Sequence, residues 1–151
     1  MINKYIRFMP IAQSIAAMSK YSGTRVGALA LGPGYEIRST GWNGAPRGCM
    51  ADEDLRVGDR DERLAWAVHA EANLVANAAR SGTSLHNCAM IITAAPCMTC
   101  AKLIVQAGIH TVVYPEPIGE FAERWAVEMA QARRLFDECK VRYVSLATLK
   151  E

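Results

Sequence analysis

The chain has 151 residues, with 51% hydrophobic and 21% charged residues and a formal net charge of +2. This composition is ordinary for one globular domain, which we expect to span residues 1–151. It argues against a nucleic-acid partner, which would require clusters of Lys and Arg, and no run of about 20 apolar residues predicts a membrane span. Five irregularly spaced cysteines favour a reducing cytoplasmic location over a disulfide framework.

The first part of the chain predicts a helix followed by a β-hairpin. Residues 2–19 carry apolar side chains at helical spacing, and Pro10 marks a bend or a late start. Residues 26–31 are small and apolar, which is typical of a buried strand. A Gly-Pro-Gly turn at 32–34 then leads into a second strand over residues 35–41.

Two loops follow the hairpin. Residues 41–48 hold three glycines, a proline, Trp42 and Asn43, and we interpret them as a shaped binding loop rather than a turn with one buried Trp. Residues 50–62 are rich in charge and predict a surface insertion or flap, with a solvated loop of no special role as an equal alternative.

The remaining elements alternate between helix and strand. We predict helices over 64–80, 96–108 and 121–138, and strands over 88–93, 110–114 and 141–146. The last helix is expected to bury one face, formed by Trp125, Met129, Ala132, Leu135 and Phe136. This alternation after an opening hairpin predicts a three-layer α/β domain with a mixed sheet.

Two short motifs carry the chemistry: His69-Ala70-Glu71 and Pro96-Cys97-Met98-Thr99-Cys100. If a helix begins near Pro96, both cysteine sulfurs lie on one face of its first turn, where the helix dipole favours thiolates. His69 adds a nitrogen ligand. Three N/S ligands leave a zinc ion one open position, which is typical of a catalytic site. Glu71 is then placed to exchange protons without being a ligand.

Taken alone, a Cys-x-x-Cys motif is as consistent with a structural zinc site or a redox pair as with a catalytic zinc site. The combination of His-x-Glu with Pro-Cys-x-x-Cys is far more specific, since it is the signature of zinc-dependent nucleobase deaminases. We therefore expect one zinc ion per chain, held by His69, Cys97 and Cys100.

The other cysteines and histidines predict simpler roles. Cys88 and Cys139 are expected to be small buried residues, and His86 and His110 to be capping or surface residues. Cys49 ends the binding loop, and we favour a structural or substrate-lining role over that of a fourth metal ligand. Tyr114 is equally consistent with stacking on a base and with covering the core.

Over residues 24–144 the chain resembles the deoxycytidylate (dCMP) deaminases of the cytidine deaminase superfamily. The resemblance is carried by the stretches His-Ala-Glu-Ala-Asn at 69–73, Pro-Cys-Met-Thr-Cys-Ala-Lys-Leu-Ile at 96–104 and Gln-Ala-Gly-Ile at 106–109, and by the loop at 41–49. The zinc motif identifies the superfamily, whereas the Asn-Gly-x-Pro loop and the Ala-Lys-Leu-Ile stretch indicate the dCMP branch.

The resemblance implies a five-stranded sheet with helices on both faces, and hydrolytic deamination of dCMP to dUMP in pyrimidine deoxynucleotide metabolism. It also implies substrate contacts from Asn43 and Ala70, with Tyr114 as a further candidate. Homo-hexamers regulated by dCTP and dTTP are usual in this family, and the effector-loop candidates here are Trp42, Gly44 and Arg47. Phosphate ligands are expected among Arg25, Arg47, Arg56, Arg60 and Arg63.

One feature bears on the range of substrates. Ala94 and Ala95 stand where larger residues are common in the family, which would widen the pocket and admit 5-substituted dCMP.

The alternatives to a dCMP deaminase are a deaminase that acts on a nucleoside, a free base or transfer-RNA adenosine, and a non-catalytic zinc-binding subunit. The intact Glu71 argues against the last of these.

Overall fold

The computed structural model describes residues 2–49 and 59–146. It contains five strands, at Gly27–Leu31 (β1), Ile37–Trp42 (β2), Ala89–Ile92 (β3), Thr111–Tyr114 (β4) and Arg142–Ser145 (β5). The helices are Ile2–Ile6 (α1), Met9–Ala16 (α2), Arg60–Trp66 (α3), Ala70–Ser81 (α4), Met98–Gln106 (α5) and Gly119–Glu138 (α6).

The strands form one mixed sheet in the order β2-β1-β3-β4-β5. The hairpin strands β1 and β2 are antiparallel, and β1 also pairs antiparallel with β3. The pairs β3–β4 and β4–β5 are parallel, with helices α5 and α6 as their connections. The predicted mixed five-stranded sheet is confirmed.

Alternate residues of β1 face opposite sides of the sheet, which places helices on both faces. Ala28 and Ala30 pack in a core cluster with residues of α4, α5 and α6, whereas Leu29 and Leu31 pack in a second cluster with Met9 of α2. The small side chains of Ala28 and Ala30 leave room for the three helices on their side. This is the predicted three-layer arrangement.

The prediction of one continuous helix over residues 64–80 is wrong. The chain forms two helices there, because Val68 pairs with Gly44 in an isolated antiparallel bridge. The bridge has two backbone hydrogen bonds, 3.1 Å from Gly44 N–H to Val68 C=O and 2.8 Å in the other direction. These long-range bonds hold Val68 extended and place His69 immediately before α4.

Part of the predicted surface insertion is also helical. Asp59 caps α3, since its Oδ1 accepts hydrogen bonds from the backbone N–H groups of Asp61 at 2.9 Å and Glu62 at 3.2 Å. Residues 50–58 of that insertion, which include Arg56, lie outside the described residues. At the N-terminus the helix breaks after Ile6, and Pro10 lies in the first turn of α2, as its position predicted.

Helix α4 lies unusually close to β2, because Gly41 has no side chain. A Cβ atom at Gly41 would overlap the backbone oxygen of Ala70 and the backbone nitrogen of Leu74. The N-terminal turn of α4 therefore rests directly on the strand. This contact positions the residues that begin α4.

The remaining predictions concern single residues and faces. Of the predicted inner face of α6, Met129, Ala132 and Phe136 are buried, whereas Trp125 and Leu135 are half-buried. Cys88 is buried as predicted, but Cys139 is exposed because it caps the end of α6 at the surface. Among the helices of the described residues, none combines the length and apolar character that a membrane crossing needs.

Candidate active site

Three ligand atoms converge where α4 and α5 begin. The Nδ1 atom of His69 lies 3.6 Å from the Sγ of Cys97 and 3.4 Å from the Sγ of Cys100. In a tetrahedral zinc site, Zn–S bonds of about 2.3 Å and Zn–N bonds of about 2.0 Å would separate nitrogen and sulfur by about 3.5 Å. The donor set and its spacing therefore fit zinc, with Nδ1 as the coordinating nitrogen of His69.

Helix ends determine this geometry. His69 and Cys97 occupy the N-cap positions of α4 and α5 in extended backbone conformations, and Cys100 lies in the first turn of α5. The two positive helix ends converge on the same point, which stabilises thiolate ligands. The helix begins at Met98 rather than at Pro96, but the two sulfurs lie together as the spacing predicted.

The protonation of the ligands also suits metal binding. A hydrogen bond from Cys100 lowers the pKa of Cys97 to about 4, so Cys97 is a thiolate at neutral pH. The same thiol–thiolate contact raises the pKa of Cys100. The pKa of His69 is raised mainly by its hydrogen bond to Cys97. Because the thiolate is the metal-binding form of cysteine, binding of a metal ion here releases protons.

Glu71 lies in the first turn of α4 and is only 4% exposed. Burial is the largest influence on its carboxyl group and raises its pKa to about 7. It is not one of the three clustered ligands, although it lies near enough to Cys100 for a hydrogen bond between them to lower its pKa slightly. A buried carboxyl group with a pKa near neutrality can both accept and donate a proton at physiological pH.

A cavity of about 440 Å³ opens onto these residues. Its size is in the range of small-molecule sites. Trp125 of α6 contributes to one wall and meets the His69 ring edge-on, with 6.3 Å between ring centroids. The lining residues are Tyr21, Gly23, Thr24, Val26, Asn43, Arg60, Arg63, Leu64, Ala67, His69, Ala70, Glu71, Ala94, Ala95, Cys97, Phe121, Arg124, Trp125 and Met129.

Three arginines line the same cavity: Arg60 and Arg63 from α3 and Arg124 from α6. Arg60 and Arg124 are exposed, so they form its solvent-facing rim, and the guanidinium of Arg63 lies 5.6 Å from the centre of the Tyr21 ring. Of the arginines considered from sequence, Arg25 and Arg47 do not line the cavity. Arg124 was missed, because no local signal connects α6 with a motif 24 residues away.

Asn43 and Ala70 both line the cavity and are buried. The side chain of Asn43 bridges the start of β1, since its Oδ1 accepts the Val26 N–H at 2.8 Å and its Nδ2 donates to the Thr24 C=O at 2.9 Å. An amide has a further N–H and lone pair for a ligand. Both residues therefore lie in the cavity, and their role as substrate contacts stays a prediction.

Four other predicted residues lie outside the cavity lining. Tyr114 is 1% exposed, and its hydroxyl oxygen accepts a 3.1 Å hydrogen bond from Nε of Arg133, so the structure favours its core role over stacking on a base. Trp42 is 40% exposed. Gly44 pairs with Val68, and Arg47 donates a 2.6 Å hydrogen bond to Asn77.

Comparison with known proteins agrees with this site. Residues 2–116 match the family described as the cytidine and deoxycytidylate deaminase zinc-binding region. A deoxycytidylate deaminase from Pongo abelii is 32% identical over 140 residues, which cover 90% of this chain and 75% of that protein. A probable deoxycytidylate deaminase from Caenorhabditis elegans is 33% identical over 138 residues, covering 89% of this chain and 68% of the relative.

The fold is also found in a solved structure. The dCMP deaminase of the cyanophage S-TIM5, crystallised in complex with dCMP and dUMP, superimposes with a TM-score of 0.76. That alignment covers 95% of this chain and 96% of the phage protein at 23% sequence identity. The arrangement of helices and strands around the cavity is therefore shared with that enzyme.

Proposed function

The chain belongs to the cytidine and deoxycytidylate deaminase family, and from this premise we propose that it hydrolyses dCMP to dUMP and ammonia. The observation that carries the proposal is a single cavity whose lining combines the metal ligands His69 and Cys97 and the carboxyl group of Glu71 with three arginines. The metal ligands and Glu71 suit deamination of a base, and the arginines suit binding of a phosphate. Relatives named deoxycytidylate deaminase support the same substrate.

Glu71 performs the proton transfers in this reaction. Zinc held by His69, Cys97 and Cys100 would lower the pKa of a bound water molecule and so supply the nucleophile at neutral pH. Glu71 accepts a proton from the attacking water and donates it to the ring nitrogen beside the reacting carbon. It then assists transfer of the second water proton to the amine, so that a C–O bond forms, the C–N bond breaks and ammonia leaves. The pKa of about 7 suits both directions of transfer.

Asn43 and Ala70 hold the base and sugar in this proposal. The Ala70 backbone lies at the start of α4 beside His69, so a base resting against it faces the metal site. Asn43 lines the cavity and is fixed by its bonds to the backbone of Thr24 and Val26, and its amide has a further N–H for a substrate acceptor.

Arg60, Arg63 and Arg124 bind the 5′-phosphate. Guanidinium groups match phosphate oxygens in charge and in bidentate geometry. Arg60 and Arg124 lie at the rim, which leaves the deeper part of the cavity for the base. This arrangement favours a nucleotide over a nucleoside or a free base as the substrate.

We also propose that the protein is a cytoplasmic homo-hexamer and responds to dCTP and dTTP through the loop that carries Trp42, Gly44 and Arg47. These three residues lie outside the cavity lining, yet Gly44 is hydrogen-bonded to Val68, the neighbour of His69. A ligand that moved the loop would therefore act on the start of α4. Sedimentation with and without each nucleotide tests both the hexamer and the response.

The substrate assignment is tested by ammonia release from a panel that contains dCMP, 5-methyl-dCMP, CMP, deoxycytidine, cytosine and an adenosine-containing transfer RNA. We expect turnover of dCMP, with 5-methyl-dCMP accepted because Ala94 and Ala95 line the cavity. Turnover only of deoxycytidine, cytosine or RNA would contradict the proposed substrate. No turnover by zinc-loaded protein of any compound would favour a non-catalytic subunit.

A further inference from the structure

Helix α6 reaches the metal site from outside the two zinc motifs. Trp125 meets the ring of His69, and Glu128 lies one turn further along α6. A carboxylate oxygen of Glu128, Oε2, accepts a 3.2 Å hydrogen bond from the backbone N–H of Met98. Met98 is the first residue of α5 and stands between the ligands Cys97 and Cys100.

The Met98 N–H belongs to the four N–H groups at the start of a helix that have no partner within it. Glu128 supplies that partner from another helix, with a negative charge that suits the positive helix end. Because the turn from Cys97 to Cys100 sets the spacing of the two sulfurs, a bond that fixes Met98 also fixes this spacing. The hydrogen-bond partners of metal-site residues commonly control metal retention in this way.

We propose that Glu128 is a positioning residue for the zinc site, which acts through the Met98 N–H to hold the Cys97–Cys100 turn in its metal-binding geometry. The effect is on retention of zinc, and Glu128 takes no part in proton transfer. The inference rests on zinc binding at this site and not on the identity of the substrate. Zinc release, measured without substrate, therefore separates its failure from failure of the proposed function.

The first test compares zinc release from zinc-loaded variants to an excess of chromogenic chelator. Glu128→Ala is expected to release zinc about 10-fold faster or more, which is the usual effect of losing such a partner. Glu128→Gln keeps an oxygen acceptor and should stay within about twofold of the wild-type rate. Glu123→Ala is the matched control, since Glu123 is an exposed carboxylate on the same helix, and should release zinc at the wild-type rate.

A second variant removes the donor and leaves Glu128 in place. Proline is well tolerated at the first position of a helix, and Cys97, with φ −78° and ψ 171°, already has the conformation that a following proline requires. Met98→Pro is therefore expected to release zinc about as fast as Glu128→Ala. Met98→Ala, which keeps the N–H, controls for the lost side chain and should resemble wild type.

The double variant and a cobalt spectrum complete the test. If the two residues act through one hydrogen bond, combining Glu128→Ala with Met98→Pro adds little to either change alone. Cobalt-substituted Glu128→Ala should show a shifted thiolate-to-cobalt absorption band, which Glu128→Gln restores. Release from Glu128→Ala at the wild-type rate would overturn the proposal. The proposal would also be overturned if Glu128→Gln released zinc as fast as Glu128→Ala, or if Met98→Pro released zinc no faster than Met98→Ala.

Discussion

The metal-binding end of the cavity and its arginine rim are built on different supports. His69 and Cys97 stand at the N-termini of α4 and α5, whose buried residues pack in one core cluster against the sheet. Arg60 and Arg63 belong to α3, which has no buried residue. The reacting groups are thus fixed by the core, whereas recognition of the phosphate is assigned to a surface helix and to Arg124.

This difference predicts how each region responds to substitution. A change at the metal end should affect every substrate, because the same groups carry out the chemistry. A change at the rim should affect only substrates that carry a phosphate. The predictions below separate the two regions, beginning with the largest expected effect.

Glu71→Gln should lower kcat by about 10²- to 10⁴-fold on all substrates, which is the usual contribution of a proton-transfer group. Its zinc content should match wild type, because Glu71 is not among the three clustered ligands. Steady-state kinetics and metal analysis on the same preparation check both statements. A variant that turns over dCMP at the wild-type rate would remove Glu71 from its proposed role.

The carboxyl group of Glu71 should make the folding stability of the zinc-free protein depend on pH. Burial raises the pKa of Glu71 from its ordinary value of 4.5 to about 7, so the folded state binds this proton more tightly than the unfolded chain. Stability is therefore lost as pH rises from about 4.5 to about 7, by up to roughly 3 kcal/mol at about 1.4 kcal/mol per pKa unit.

Thermal unfolding of chelator-treated protein measures this effect. Wild type and Glu71→Gln should differ little in Tm at pH 4.5, and the variant should be the more stable one at pH 8. A difference that is constant from pH 4.5 to pH 8 would mean that the buried carboxyl group does not carry this pH dependence.

Arg124→Leu should separate phosphate recognition from chemistry. Loss of one hydrogen-bonded charge is expected to cost about 1.5–3 kcal/mol, which lowers kcat/KM for dCMP by about 10- to 100-fold. Any turnover of deoxycytidine, which has no phosphate, should be unchanged. Arg134→Leu is the matched control, because Arg134 lies on the same helix but pairs with Glu138 at 3.2 Å. Equal losses on dCMP and deoxycytidine would place Arg124 outside the phosphate site.

The metal end was predictable from sequence, whereas of the three cavity arginines only Arg60 and Arg63 were among the sequence candidates and Arg124 was not. The difference has a physical reason. His69, Cys97 and Cys100 lie in short motifs whose spacing on a helix already brings the sulfurs together. Arg124 and Glu128 reach the site only because α6 packs beside α5, and no local pattern encodes that contact. The strands of the sheet were recovered for a similar reason, since their apolar runs are local signals.

The errors have the same origin. The break at Val68 depends on hydrogen bonds with Gly44, which outweigh the helical propensity of the surrounding sequence. Tyr114 was equally consistent with two positions, and only its tertiary packing, with burial in the core and a hydrogen bond from Arg133, favours the core role. Cys139 was predicted to be buried because cysteine is commonly a core residue. It is exposed because α6 ends at the surface.

The smallest expected effect tests whether the sheet positions the metal end. A Cβ atom at Gly41 would meet the backbone of Ala70 and Leu74 in α4, whereas one at Gly27 would meet the backbone of Ala12 and Ala16 in α2, on the other face. Overpacking of this kind costs about 1–3 kcal/mol, so Gly41→Ala and Gly27→Ala should lower stability by similar amounts. Only Gly41→Ala should also speed zinc release, because α4 begins beside His69. Equal zinc release from the two variants would mean that the metal end does not depend on the seating of α4 against β2.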